Sequence, residues 1–282
     1  MALYATREGP LATANAWGNL TTFGGATLNQ VQVPKGYVSC KEIWMTHHIN
    51  GGATDTTGCV VLGRLKGDAI VDGPQDFVVG AWGNEQTGNS AIAVGFHAQV
   101  FKDMNIKVRP NSTFWIQFGQ FGGSTTVGTP ECAVTCVMTK ESVPDAYYIV
   151  RNMSDAGTAN TRFAMTYSAD DTAANQIKVP PGCTRISKVF GASGGITLAT
   201  TIGATTDVLI EGNGLADGGS VRLPVSGHAC LSTTTGVTDS FMQATIIPTD
   251  ISLKTGGELF LYAEHSADYG TPYTAVGFEF MG

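Results

Sequence analysis

Apolar and polar residues alternate at period two along most of this chain. Such alternation puts the apolar set on one side of a strand and the polar set on the other. The pattern predicts strands at residues 31–33, 43–45, 60–65, 77–79, 92–100, 106–108, 114–118 and 133–138. It resumes at 177–179, 186–190, 208–210, 221–225, 241–247, 251–253, 259–263 and 274–280. Gly51-Gly52, Gly73-Pro74, Gly83-Asn84, Gly88-Asn89, Pro110-Asn111 and Gly122-Gly123 fall between them. These dipeptides are turn formers, because glycine reaches positive φ and proline presets φ near −65°. No helical period appears beyond one-turn pieces near 154–157 and 170–174. Each half therefore holds about eight short strands with frequent turns, the rhythm of a sandwich or barrel.

The rhythm is written twice. Residues 29–36 read NQVQVPKG, and residues 175–182 read NQIKVPPG. At closely similar offsets Ile43 falls on Val189, Val61-Leu62 on Val208-Leu209, and Asp72-Gly73 on Asp217-Gly218. Phe96 falls on Phe241, Phe114-Trp115-Ile116 on Leu259-Phe260-Leu261, and Ala133-Val134 on Ala275-Val276. A period near 145 residues is the size of one domain and too long for a solenoid unit. The expected organisation is all-β: two tandem eight-stranded jelly-roll β-sandwiches related by internal duplication. The first spans 1–140 and the second 146–282, joined through Glu141, Pro144 and Asp145.

Composition sharpens this picture. Only 14% of the 282 residues are charged, against about 25% in ordinary globular chains. Such a surface is expected to be covered by partners. The net charge is −7, and no block of Lys or Arg occurs, so direct binding to nucleic acid is not expected. No apolar stretch approaches the roughly 18 residues of a membrane span, and no leader pattern opens the chain. The expectation is a soluble product made without a signal peptide.

Candidate chemistry is sparse. His47-His48 would point to opposite faces of a strand, so they cannot share a metal without a bulge. Asp103 and Asp170-Asp171 stand beside turns, where carboxylates commonly shape the backbone. No nucleophile elbow, P-loop or dinucleotide fingerprint is present. Cys132 and Cys136 would share a strand face about 13 Å apart, too far to pair. Trp44 and Trp115 lie in apolar strands and are expected in the core. No catalytic centre, metal or cofactor is expected.

With its duplicated NQVQVPKG and NQIKVPPG, paired GTP turns at 128–130 and 270–272, and strand rhythm, the chain resembles the double jelly-roll major capsid proteins of tailless icosahedral viruses. That lineage includes adenovirus hexon. The resemblance implies a homotrimer whose six jelly rolls imitate a hexagon and tile a virion shell. It implies self-association first, then penton, spike or minor capsid proteins as partners. An internal membrane would fit the lineage, but neither terminus carries a basic or amphipathic helix to support one. A second reading is a tandem sandwich that binds carbohydrate or a receptor, as a spike, fibre or adhesin does. A third is an enzyme on a jelly-roll scaffold. Outside contacts are expected from two Gly-rich segments that differ between the copies, 80–90 and 119–128. Trp82, Asn84, Phe121 and Thr125 are the candidates there, as exposed-loop or interface residues.

Overall fold

The structure, a computed structural model, describes residues 2–10, 16–22, 29–50, 58–85, 94–121, 131–154, 159–165, 175–194, 202–230, 238–266 and 273–282. Among them are twenty strands and no helix. The first half contributes β1 (Leu3–Pro10), β2 (Ala16–Asn19), β3 (Gln30–Gln32), β4 (Ser39–Asn50), β5 (Gly58–Lys66), β6 (Gln75–Glu85), β7 (Val94–Phe101), β8 (Ile106–Lys107), β9 (Thr113–Phe121) and β10 (Glu131–Thr139). The second contributes β11 (Ala146–Ser154), β12 (Arg162–Ala164), β13 (Gln176–Lys178), β14 (Arg185–Gly194), β15 (Ile202–Glu211), β16 (Ser220–Cys230), β17 (Thr238–Gln243), β18 (Thr245–Ser252), β19 (Glu258–His265) and β20 (Tyr273–Met281).

Four antiparallel sheets result, and their orders match in pairs. The first half forms β1-β10-β4-β7, with β8 also on β4, and β6-β5-β9-β2, with β3 also on β9. The second half forms β11-β20-β14-β18 and β16-β15-β19-β12, with β13 also on β19. Each pair is one jelly roll. The repeated octapeptide occupies the same place in both: β3 pairs Gln30 with Trp115, and β13 pairs Gln176 with Phe260.

Irregularities are duplicated as well. Bulges interrupt β4 between Glu42 and Cys40 and β14 between Ile186 and Lys188. A second matched pair falls at Val61/Leu62 in β5 and Thr206/Asp207 in β15. Gly36 and Gly182 have φ of 84° and 80°, and Asn111 and Gly256 have 60° and 74°. Gly67 (φ 146°) and Gly212 (φ 127°) make the tightest turns. A Cβ on Gly67 would lie 2.8 Å from Phe114 Cα, and one on Gly212 would lie 2.2 Å from Glu258 O. Only glycine fits both that φ and that approach.

Two sequence expectations change here. The bulge register sets Leu62 opposite Val78 and Asp207 opposite Pro224, so Leu62 corresponds to Asp207, not to Leu209. The strand expected at 241–247 breaks at Ala244, and its two parts join different sheets. The opening segment supplies strand β1, which pairs with β10.

Within the first jelly roll, Phe77 on β6 faces Phe101 on β7 at 5.3 Å and Phe118 on β9 at 6.3 Å between ring centroids. Phe278, Phe280, Val189, Ile186, Val208 and Leu261 fill the second.

Candidate assembly interface

In β11, β14 and β20, alternate residues serve two different cores. Tyr147, Ile149, Val189, Phe278 and Phe280 face the second jelly roll's interior. Tyr148, Val150, Phe190, Ala192, Ala275 and Met281 face the other way, into a cluster shared with the first half. The outer face of the β11-β20-β14-β18 sheet is therefore packed against β5 and β6. Val78 sits at the centre of this seam. A Cβ on Gly277 would lie 3.4 Å from Val78 Cγ2, 3.2 Å from Val150 Cγ2 and 3.7 Å from Phe190 Cβ. Tyr148 and Phe190 flank it with ring centroids 6.2 Å apart, and Phe190 meets Phe101 at 5.9 Å.

One polar cluster crosses the seam. Glu279 is fully buried. Its carboxylate accepts from Tyr148 Oη at 2.7 Å, Lys188 Nζ at 2.8 Å and Asn105 Nδ2 at 2.8 Å. Asn105 belongs to the first half, and its backbone N–H donates to Tyr148 Oη at 2.8 Å. Gln75 Oε1 accepts from the backbone N–H of Tyr148 at 2.9 Å. Burial first, then the Glu279 charge, pushes the Tyr148 hydroxyl well above its ordinary pKa. The Glu279, Tyr148 and Asn105 polar groups are thereby partnered across the seam, as burial demands.

A strand also crosses. β17 leaves its own half and pairs antiparallel with β6, with Phe241 opposite Trp82 and Gln243 opposite Gly80. The Ala244 N–H donates to Val79 O at 3.0 Å, and Gln99 Nε2 donates to Ala244 O at 3.1 Å. β17 thus caps the exposed edge of the first half's sheet. Among the described residues no strand caps β16, the corresponding edge of the second half.

The first half carries the same outer face, uncovered. The registers of β1 with β10 and of β11 with β20 set Tyr4 in the place of Tyr148. Those of β4 and β14 set Trp44 in the place of Phe190. Tyr4 is 56% exposed and Trp44 39%, against 2% and 1% for their counterparts. The bare rings still pair, at 5.4 Å between centroids. Val100 beside them is 45% exposed. Trp44 was expected in the core because its strand is apolar. It instead occupies an outward position between inward Ile43 and Met45, and its Nε1 donates to Glu42 Oε2 at 2.6 Å.

The loop candidates fall differently from expectation. Trp82 and Asn84 lie in β6; Trp82 pairs on both sides, with Cys59 and Phe241, and Asn84 pairs with Asp239. Their segment continues a strand because β17 supplies a second neighbour. Phe121 ends β9 and is buried, packed on Trp17 at 5.0 Å, so it is not an exposed loop residue. Thr125 lies outside the described residues, as do the side chains of Trp82, Asn84, His47 and His48. The strand at 39–50 places His47 opposite Cys132 and His97, and His48 opposite Glu131 and Phe96.

A polar cavity of about 90 Å³ opens on the second half, lined by Asp207, Arg222, Glu264 and His265 among others. Arg222 donates to Glu264 at 2.7 Å and to Asp207 at 3.3 Å, which raises its pKa. Both carboxylates thus answer one guanidinium. The His265 ring nitrogen is bonded to the Thr206 hydroxyl at 2.9 Å. Cys40, Cys132, Cys136 and Cys183 are buried thiols. Among the described residues no group of three His, Cys, Asp or Glu could hold a metal.

No protein-family model matches the chain, and no curated protein matches it. Among solved structures the chain is similar to the crystal structure of the STIV MCP, with 9% identity and a TM-score of 0.40 over 100% of this chain and 97% of that chain. It is similar to the major capsid protein P2 from Bacteriophage PM2, with 9% identity and a TM-score of 0.36 over 100% and 98%. A structure of infectious bursal disease virus, Gt strain, shares 10% identity at a TM-score of 0.28, over 100% of this chain and 72% of that chain.

Proposed function

We propose that this chain is a structural capsid protein of a virion, a shell subunit that works as a homotrimer with six jelly rolls in a ring. The observation that carries the reading is the seam. It joins unlike faces: the outer β5-β6 face of one jelly roll meets the outer β11-β20-β14 face of the next. A heterologous joint of this kind leaves one unmatched face at each end of the chain, and repetition closes a ring when the rotation allows. Three two-lobed chains supply six lobes. The low charge content suits subunits covered on several sides. In this reading the units are 1–140 and 146–282, with β17 lent to the first. Segments 80–90 and 119–128, with Trp82, Asn84 and Thr125, serve contacts beyond the ring, such as penton, spike or minor capsid proteins. The chain acts as scaffold rather than catalyst.

The test is mass in solution by light scattering at several concentrations, with electron microscopy of the same preparations. A trimer, or closed particles, is expected. A monodisperse monomer at high concentration with no particles overturns the reading.

The exposed Tyr4–Trp44 pair favours a second reading, carbohydrate or receptor binding. The rings are tilted by 51°, so they do not form one flat stacking platform. Calorimetric titration with a glycan panel checks it, and binding lost on Trp44→Ala would support it.

A further inference from the structure

The seam inside the chain shows what its own outer sheet faces are built to hold. In the second half, Val78 is seated over Gly277 between Val150 and Phe190, with the Tyr148 ring beside Phe190. In the first half, the equivalent pair Tyr4 and Trp44 stands bare. The group equivalent to Val78 is also on the page. The matched bulges put Val78 opposite Leu62 and Pro224 opposite Asp207, so Pro224 occupies the Val78 position. Pro224 is exposed on β16. One chain thus carries both halves of a second joint, on opposite lobes, and among the described residues neither is covered within the chain.

We propose that the Tyr4–Trp44 face is the docking site for a second copy of this chain, which presents its β15-β16 face with Pro224 seated between the two rings. This rests on the assembly reading above and names the surfaces that reading needs. The central position of the acceptor is Thr135, paired with Thr6 and Trp44, where the internal seam has Gly277. Proline is an apt knob there. It is rigid, apolar and without a backbone N–H to leave unpaired. The acceptor face carries Glu42, bonded to Trp44. The donor face carries Arg222 and Arg162, half-exposed and answered within their own lobe by Asp207, Glu264 and Glu211, so both faces are polar around the contact. The internal latch is not copied. Val137 stands where Glu279 does, and Glu42 where Lys188 does, so the Glu279–Lys188 ion pair has no counterpart; at the middle the Thr6 and Thr135 hydroxyls bond each other at 2.8 Å, and the charge lies at the rim. Aromatic anchors ringed by polar groups are the usual make-up of a separable protein contact.

The experiment places a photoreactive benzoylphenylalanine at position 44 of the full chain. Irradiation of the assembled protein is expected to yield cross-links to residues 205–224 of another copy, read by mass spectrometry. In parallel, Trp44→Arg and Pro224→Asp are each expected to weaken association at least a hundredfold, as seen by light scattering, with the far-ultraviolet spectrum unchanged. Cross-links to the β1-β10-β4 face of another copy, or to no chain while assembly persists, overturn the assignment. Assemblies that survive both substitutions overturn it too, and leave the shell reading standing. A wild-type chain that stays monomeric at every concentration overturns both.

Discussion

Removing the Glu279 carboxylate should separate the two jelly rolls energetically more than any surface change. Glu279→Val deletes the acceptor for Tyr148 Oη, Lys188 Nζ and Asn105 Nδ2, all within 2.8 Å. The Lys188 side chain, only 18% exposed, loses its counter-charge at the seam and keeps only the Asp103 carbonyl as acceptor. Breaking a buried pair from one side costs about 3–5 kcal/mol, because the surviving charge keeps its desolvation penalty. Replacing both partners by apolar residues of similar size is often close to neutral. Lys188→Met with Glu279→Val should therefore recover most of the loss, leaving about 1–2 kcal/mol for the orphaned Tyr148 and Asn105 groups. Valine is acceptable at this register position, since Val137 fills it in the first half. Urea unfolding of the wild type and both singles, plus the double, gives the coupling by difference. Fluorescence and circular dichroism should be followed together, so that separate melting of the lobes is seen. A Glu279→Val loss under about 1 kcal/mol, or a double variant as unstable as the sum of the singles, refutes the reasoning.

Phe190→Ala should cost about 3–5 kcal/mol in the isolated chain, whereas Trp44→Ala, at the equivalent but exposed position, should cost far less; thermal melts under dissociating conditions compare them. Ala at Gly67 or Gly212 should destabilise by more than about 1 kcal/mol, because each meets backbone at positive φ; urea midpoints check this. Tyr148 is held protonated in the fold, its pKa raised by burial and then by Glu279. Its contribution is complete below pH ~10 and falls as pH rises past that, where the unfolded tyrosine ionises. Tyr148→Phe should flatten that decline in stability against pH. Burial, then Asp145 and Asp72, pushes the Cys183 thiol up to about 11, so its alkylation at pH 8 should accelerate strongly on unfolding.

The fold was largely legible in the sequence, and the joint between its halves was not. The octapeptide repeat and the glycines at 36, 73, 182 and 218 lie where backbone geometry constrains residue choice, so duplication survived there. Matching Leu62 to Leu209 failed for a physical reason. Leu62 is buried, while Asp207, its true counterpart, is only half-buried and answers Arg222. Pairing apolar with apolar assumes equal burial in both copies. Trp44 misled in the same way. An apolar strand flanking a tryptophan reads as core, yet here the same pattern carries an exposed ring on the outer face. Phe96 and Phe241 match in sequence, but Phe96 pairs with His48 of its own half and Phe241 with Trp82 of the other. Nothing local distinguishes them, because strand exchange depends on which edge lies within reach.

The differences between the copies concentrate on outward faces, and their chemistry follows from how each joint forms. The internal joint is closed by a covalent tether, so its halves meet at a high effective concentration. Such a joint tolerates a buried carboxylate–ammonium pair, whose desolvation is offset only when every hydrogen bond is made. Glu279 and Lys188 stand there, and a lent strand, β17, adds backbone bonds. A joint between separate chains must form from dilute subunits and lose their translational freedom. At the equivalent positions the first half carries Val137 and Glu42, and beside them the exposed Tyr4 and Trp44 rings, which need less exact partnering and would bury apolar area on contact. Two identical joints would let either lobe bind any other and give no defined order. Under the assembly proposed above, divergence at Glu279/Val137, Phe190/Trp44 and Val78/Pro224 would make the chain directional, so that the first lobe of one copy would meet the second lobe of the next.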